Sequence, residues 1–241
     1  MHLISRCLCG SVGPFDEYNA PTGLAVARCA CGVVHQITDQ TRADVEGQYR
    51  GAYHAAEDRH PGCIPYRKRY LHDRQIAELR LQRYRRTLTT QLERGARALD
   101  VGAANGAWVD HLRKHHIRAF GLDPDPAMAR DPEIATGTIE QAERLFGMVR
   151  FELVTYHDVL EHLVEPLREL DNVRAQMRMG GALIVDVPDC ATSAGDHHFK
   201  PEHVWFFTEQ SLRALFLASG FSTLEVDRPV PGKLVAYGIA V

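Results

Sequence analysis

Near the end of the chain two apolar, strand-like runs, Phe221 to Val226 and Lys233 to Ile239, are joined by little more than Arg228-Pro229-Val230-Pro231-Gly232. A parallel pair needs a crossover of about a dozen residues or more, so these two strands must be antiparallel. Upstream, from Arg97 onward, strand and helix signals alternate instead, the pattern of a doubly wound parallel sheet. Arg97 to Val101 leads into a helix over Ala107 to His115, and Arg118 to Leu122 ends at the break Pro124-Asp125-Pro126. After a short segment at Gly137-Thr138-Ile139-Glu140, Phe151 to Tyr156 forms a strand ending in His157-Asp158. Val159 to Met179 reads as a helix stopped by Gly180-Gly181, and Ala182 to Val187 as a strand, apolar apart from Asp186, closed by Pro188. Thr208 suits the N-cap of a helix carrying Leu212, Leu215, Phe216 and Leu217 and ending at Gly220. A mostly parallel sheet finished by an antiparallel strand excludes more folds than any single motif in the chain.

Within that frame the strand-to-helix turn Leu99-Asp100-Val101-Gly102-Ala103-Ala104-Asn105-Gly106 has the form of a nucleotide site. Gly102 and Gly106 admit backbone conformations closed to other residues, and the helix that follows presents free N–H groups. Asp123 ends the next strand, roughly 20 residues on, where such sheets hold ribose hydroxyls. A turn with two glycines is also common without any ligand.

The N-terminal part obeys a different rule. Cys7-Leu8-Cys9-Gly10 and Cys29-Ala30-Cys31-Gly32 repeat one C-x-C-G pattern. In a cytosolic chain such spacing points to a metal rather than to disulfides, and Gly10 and Gly32 supply the turns that let each thiol pair converge. Cys7, Cys9, Cys29 and Cys31 are therefore the expected ligands of a structural zinc ion. The alternatives are a metal-free ribbon of reduced thiols and a site completed by His2 or His35. Four protein ligands leave no open position, so this zinc would fold the module and take no part in chemistry.

Between these parts lies a basic stretch. Arg50 to Arg86 holds ten Lys or Arg against four Asp or Glu, although the whole chain of 241 residues carries a formal charge of -3. Pro65 suits a helix start, after which Tyr70, Ala77, Leu81, Tyr84, Leu88 and Leu92 recur at helical spacing. Its Arg-rich face is either solvated or faces an anionic substrate near Arg67, Lys68 and Arg69, and Tyr66 and Tyr70 suit core packing better than ligand contact. The acidic net charge disfavours general nucleic-acid binding. With no apolar run of membrane length and no secretory h-region after Met1, the expected setting is the cytoplasm, with no membrane partner. The expected organisation is a zinc-ribbon-like module over 1-48, a helical lid or linker over 49-95 and a catalytic domain over 96-241.

Taken together, LDVGAANG at 99 to 106, GLDPDP at 121 to 126, GTIE at 137 to 140, FELVTYHDVLEHLVEP at 151 to 166, GGALIVDVPD at 180 to 189 and PEHVWFFTEQSLRALFLASGF at 201 to 221 resemble a class I S-adenosylmethionine-dependent methyltransferase. The resemblance implies an α/β Rossmann-like fold: a doubly wound, mostly parallel seven-stranded sheet with an antiparallel final strand. It also implies that Gly102, Ala103 and Gly106 line the methionine moiety, that Asp100 orders the turn, and that Asp123, followed by Pro124, holds the ribose hydroxyls. Thr138, Ile139 and Glu140 would flank the adenine, and Tyr156 and His157 would approach the reactive end of the cofactor. The family's D-x-G-x-G-x-G motif has Ala104 at its middle glycine, and a positive φ is not expected there.

The segment Glu202-His203-Val204-Trp205-Phe206-Phe207 resembles the Glu-His-x-x-x-Phe stretch of sugar C-methyltransferases and related small-molecule enzymes, some of which carry an N-terminal cysteine zinc ribbon. It implies His203 as the base with Glu202 beside it and His157 near the reacting centre. In the plainer account His203 bonds a strand end and His162 caps or packs; His197 and His198, on a polar loop before it, either enter the site or are exposed. The acceptor so implied is a polar small molecule, such as a sugar, nucleotide-linked sugar or natural-product intermediate, methylated at O or C. An RNA- or protein-modifying methyltransferase and a non-catalytic cofactor-binding protein are the competing readings, and the oligomeric state is not readable.

Overall fold

A computed structural model describes residues 4, 6–49, 69–88, 90–130, 133–192, 196 and 198–241. His2, the basic run through Pro65, Tyr66, Arg67 and Lys68, and His197 fall outside the described residues. Two sheets are formed. Strands β1 (Asp16–Asn19), β2 (Ala25–Arg28) and β3 (Val34–Gln36) make an antiparallel meander, followed by the short helix α1 (Arg42–Gln48). Helix α2 spans Tyr70–Thr87. Strand β4 (Arg97–Val101), helix α3 (Ala107–Lys114), β5 (Arg118–Asp123), β6 (Ile134–Thr136), α4 (Ala142–Phe146), β7 (Phe151–His157), α5 (Pro166–Gln176) and β8 (Met177–Pro188) follow. The chain closes with β9 (Trp205–Phe206), α6 (Glu209–Ala218), β10 (Phe221–Asp227) and β11 (Lys233–Ala240).

The larger sheet has the order β10-β11-β8-β7-β4-β5-β6, with β4–β5 and β5–β6 parallel and β10–β11 antiparallel. This is the mostly parallel, Rossmann-like seven-stranded sheet expected from the alternation of elements and the short Arg228–Gly232 link. The outermost strand β10 breaks register between Thr223 and Glu225 and leaves Leu224 exposed, a bulge that blunts an edge otherwise open to pairing. The smaller sheet runs β1-β2-β3-β9, so its fourth strand comes from far along the chain, Val34 pairing with Phe206 and His35 with Trp205.

Contacts divide the chain into two units: Met1–Glu46, Tyr156–Asp171 and Ile184–Val241 in the first, Gly47–Thr155 and Asn172–Leu183 in the second. In the first, Val26 and Val34 pack with Phe206, which stacks on Phe199 at 4.5 Å, while Leu212, Leu215 and Phe216 of α6 are fully buried. In the second, Ala77, Leu81 and Tyr84 form the buried stripe of α2, and Tyr84 meets the edge of Trp108 on α3 at 5.6 Å.

Two expectations about elements need correction. The helix expected over Val159 to Met179 is a 3-10 turn at Leu160–His162 followed by α5 from Pro166 to Gln176. Proline at the first helical position has no N–H to lose there, so it starts a helix well and interrupts one badly. The Gly180-Gly181 pair does not stop a helix either; it lies inside β8, which begins at Met177, and a Cβ on Gly181 would sit 2.9 Å from the Arg178 carbonyl oxygen and 3.1 Å from that of Phe151.

Candidate functional site

At the end of β4 the chain turns through Gly102 at φ 76°, Ala104 at φ 45° and Gly106 at φ 75° before α3 begins. The Gly102 and Ala103 amides donate to the Leu122 carbonyl at 2.8 and 2.9 Å, which ties the turn to the end of β5. Ala104 adopts the left-handed conformation that its side chain argued against, because its N–H donates to Asp123 Oδ2 at 2.8 Å and the Gly106 amide closes on Ala103 O at 2.9 Å. These bonds hold a geometry that costs an alanine roughly 1–2 kcal/mol. Gly106 is demanded twice, by its φ and by space: a Cβ there would lie 2.4 Å from Ile134 Cδ1 and 2.8 Å from Arg130 Nη2.

Asp123 is buried, and its Oδ1 accepts from the Asp125 amide at 2.9 Å. Pro124 leads to Asp125, which caps the next 3-10 turn by accepting from Ala127 N at 2.9 Å. The Gly137 amide donates to Asp123 O at 2.9 Å, bringing the turn Ile139–Gln141 to the same strand end, with Ile139 fully buried and Thr138 and Glu140 exposed beside it. Asp100 lies beneath the glycine turn, accepting from Thr155 Oγ1 at 2.7 Å, while the Trp108 indole donates to that same hydroxyl at 3.1 Å. Asp100, Gly102, Ala103, Gly106, Asp123, Pro124, Thr138, Ile139 and Glu140 are thus gathered in one unit.

In the other unit Tyr156 is fully buried and donates its hydroxyl to Glu169 Oε1 at 2.8 Å, with burial and that carboxylate pushing the phenol well above its usual range. His157 is half-buried. Asp158, at φ 55°, contacts the Lys233 ammonium, which also lies 3.2 Å from Asp186 Oδ1. Burial works against the Lys233 charge, but the surrounding Asp158, Asp186 and Glu161 outweigh it and raise its pKa. Glu161 is 1% exposed, and burial, with the charge on Asp158 next, pushes its carboxyl pKa up; its Oε2 has no hydrogen-bond partner among the described residues.

His162 shares a 2.9 Å hydrogen bond between Nδ1 and Glu202 O, and its ring meets His203 edge-on at 4.8 Å. Burial, then the neighbouring His162 and Lys200, lowers His203 to about 2, and its Nδ1 has no partner among the described residues. Ligand atoms of Glu161, His162 and His203 lie within 4.8 Å of one another. Glu202 sits at the rim, 4.0 Å from Lys200 Nζ. Strand β3 holds this loop: Gln36 N donates to Val204 O at 2.9 Å, and the Gln36 side-chain amide reaches His203 O and Pro201 O at 3.2 Å each.

The four N-terminal cysteines converge as their repeat suggested. Cys7 and Cys31 Sγ are 3.5 Å apart, Cys9 and Cys29 Sγ 3.6 Å, and all four lie within 4.8 Å of one another. The two knuckles are copies: Gly10 N donates to Cys7 O and Gly32 N to Cys29 O, both at 2.8 Å, with the glycines at φ 88° and 87°. The Ser11 backbone amide lowers the Cys9 thiol to about 7, whereas burial raises Cys7. Tetrahedral zinc with bonds near 2.3 Å wants sulfurs about 3.8 Å apart, close to this arrangement. His35 is not part of it; the ring is fully buried, edge-on to Phe15 at 5.0 Å and Trp205 at 5.7 Å.

Residues 70–226 match the sequence profile of the family described as a methyltransferase domain. The chain belongs to that family. It is an S-adenosylmethionine-dependent methyltransferase. No curated protein matches it in sequence. Among solved structures it is similar to the magnesium protoporphyrin IX methyltransferase of Synechocystis with bound S-adenosylhomocysteine, at TM-score 0.57 and 13% identity over 82% of this chain and 98% of that one. The Burkholderia thailandensis 1,6-didemethyltoxoflavin-N1-methyltransferase, solved with 1,6-didemethyltoxoflavin and S-adenosylhomocysteine, gives 0.55 and 17% over 93% and 99%. A chain from the Haloferax volcanii complex with the Trm112 methyltransferase activator gives 0.52 and 16% over 73% and 97%.

The motifs of the sequence assign no role to two residues of this methyltransferase: Glu161, with a carboxylate oxygen within 4.8 Å of a His203 ring nitrogen, and Lys233, the cation of the Asp158–Asp186 pair. A signal existed for the latter. Asp186 interrupts an otherwise apolar strand, and a carboxylate in such a place needs a cation.

Proposed function

We propose that this methyltransferase acts on a polar small molecule, a sugar, nucleotide-linked sugar or natural-product intermediate, methylating O or C. In this reading Gly102, Ala103 and Gly106 line the methionine moiety, Asp123 and Pro124 the ribose, and Thr138, Ile139 and Glu140 the adenine, with Tyr156 and His157 serving the reactive end. Asp123 fits that task, because it is a buried carboxylate at the end of β5 that also accepts from the Ala104 amide of the glycine turn and from the Asp125 amide. S-adenosylmethionine supplies an electrophilic methyl group on a sulfonium sulfur. The protein's part is to align the acceptor, exclude water and receive the acceptor's proton.

The observation that supports the acceptor reading is a pair of buried polar atoms without hydrogen-bond partners among the described residues, His203 Nδ1 and Glu161 Oε2. Groups of this kind are normally satisfied, so a hydroxyl-bearing ligand is what the cluster is built to receive. The neutral imidazole accepts the acceptor's hydrogen bond and orients it, with the buried Glu161 carboxyl beside it. Glu202, half-buried, positions the loop through its carbonyl on His162. Zinc in the Cys7, Cys9, Cys29 and Cys31 site holds the small sheet, and through β3 the segment bearing His203.

Labelled methyl transfer tests this reading against a panel of sugars and nucleotide-linked sugars, with bulk RNA and protein alongside. Transfer to a small molecule, lost about a hundredfold in kcat on His203→Ala with little change in the S-adenosylmethionine KM, is the expected result. Transfer to RNA or protein alone would move the assignment to a macromolecular substrate.

A further inference from the structure

The unit that carries the glycine turn contains a second cluster of ligating side chains that methyl transfer does not use. His111 lies in α3, His115 is the C-cap residue one turn further on, and Glu78 comes from α2. One ligand atom from each lies within 4.8 Å of the others. His111 is 2% exposed, and its Nε2 makes no hydrogen bond among the described residues although it stands 3.5 Å from Glu78 Oε2. The His111 and His115 rings are 4.8 Å apart and tilted by 55°.

The surroundings fix the two inner members. Trp108 stacks on the His111 ring at 6.2 Å and 17°, and its indole is itself held by Thr155. Gln82 Nε2 donates to Glu78 Oε1 at 2.9 Å, which leaves Oε2 facing His111. A plain ion pair accounts poorly for this arrangement, because Glu78 is 49% exposed and lacks hydrogen-bond geometry to the His111 imidazole.

We propose that Glu78, His111 and His115 bind a borderline divalent transition-metal ion, of the Zn²⁺ or Ni²⁺ kind, through one carboxylate oxygen and two imidazole nitrogens. Such ligands suit these ions, and bonds of 2.0–2.1 Å place tetrahedral neighbours about 3.3 Å apart. The His111–Glu78 separation of 3.5 Å already spans one such edge. His115 and Glu78, both partly exposed, have room to close the others. The ion would cross-link α2 to α3, adding to the Tyr70–Asp110 hydrogen bond and the 2.6 Å bond from Asn105 Nδ2 to Asp73 Oδ2 that join the two helices near their starts. Three protein ligands leave coordination positions for water or an incoming group.

Titration of the full chain with Co²⁺, read by absorption, tests this directly. Cobalt at the cysteines shows thiolate-to-metal charge transfer, and the expected result is a further equivalent without that band. His115→Ala and Glu78→Gln, at positions whose loss leaves the buried core in place, should each weaken the second equivalent about tenfold or more and leave the thiolate-bound one unchanged. Cys7→Ser should do the reverse. Cobalt bound only by thiolate in the wild-type chain, or a second equivalent that both variants retain at full affinity, would overturn the proposal.

Discussion

Ala104 shows how one bond can decide a residue's conformation against its preference. Its composition argues for φ below zero, yet the Asp123 carboxylate, 19 residues away in sequence, holds its amide and with it a φ of 45°. Nothing local to Ala104 carries that information, whereas Gly102 and Gly106 announce their own conformations. Ala104→Gly should raise the melting temperature slightly and keep cofactor affinity, since relief of about 1 kcal/mol of left-handed strain outweighs the added freedom of the unfolded chain. Gly106→Ala should do the opposite, costing about 2 kcal/mol or more through φ and the contact with Ile134, with weaker S-adenosylhomocysteine binding in calorimetry.

His203 makes a prediction in pH. Its folded pKa, about 2, lies below the unfolded value near 6.5, so the stability from its neutral burial is present above pH 6.5 and is lost as the pH falls. Melting temperatures should therefore drop between pH 7 and pH 5, and less steeply in His203→Asn. The kcat profile should show no acid limb near pH 6.5, because the imidazole stays neutral there. A limb at that position would place the base elsewhere.

At the scale of elements, β9 links the two motifs that the sequence presents as separate. Two residues, Trp205 and Phe206, complete the small sheet, and they follow His203 directly. A two-residue strand has no period to detect, so the pairing with β3 was not legible, although the apolar run around it was. The three-residue β6 was equally silent, and the break at Pro166 was visible but overruled by the long apolar spacing around it. Where elements were long and strongly patterned, as for β4, α3, β7, α6 and β11, their positions were readable to within a residue or two. The β3–β9 pairing predicts that stripping metal from the cysteines, or Cys29→Ser, lowers the melting temperature and speeds amide exchange at Val204 and Phe206. Unchanged exchange there would separate the cysteine module from the His203 loop.

For the whole molecule, the order β10-β11-β8-β7-β4-β5-β6 follows from a few constraints that act together: alternating strands and helices, glycine at the first turn, and a link too short for a crossover at the end. Those are properties of backbone reach and handedness, which is why the fold was legible when the acceptor was not. No helix among the described residues is long and apolar enough to cross a membrane. The residues proposed for the methyl donor are legible as a group because strand ends and the turns after them hold them, while those proposed for the acceptor sit on a loop whose buried neighbours, Glu161 above all, lie some forty residues upstream. The central claim is that the cofactor rests on the glycine turn and is anchored by Asp123. Calorimetric titration with S-adenosylhomocysteine measures it most directly: the wild-type chain should bind about one equivalent, and Asp123→Asn, which keeps the shape of the side chain, should weaken binding about tenfold or more. Absence of binding to the folded wild-type chain, or equal affinity in the folded variant, would contradict it.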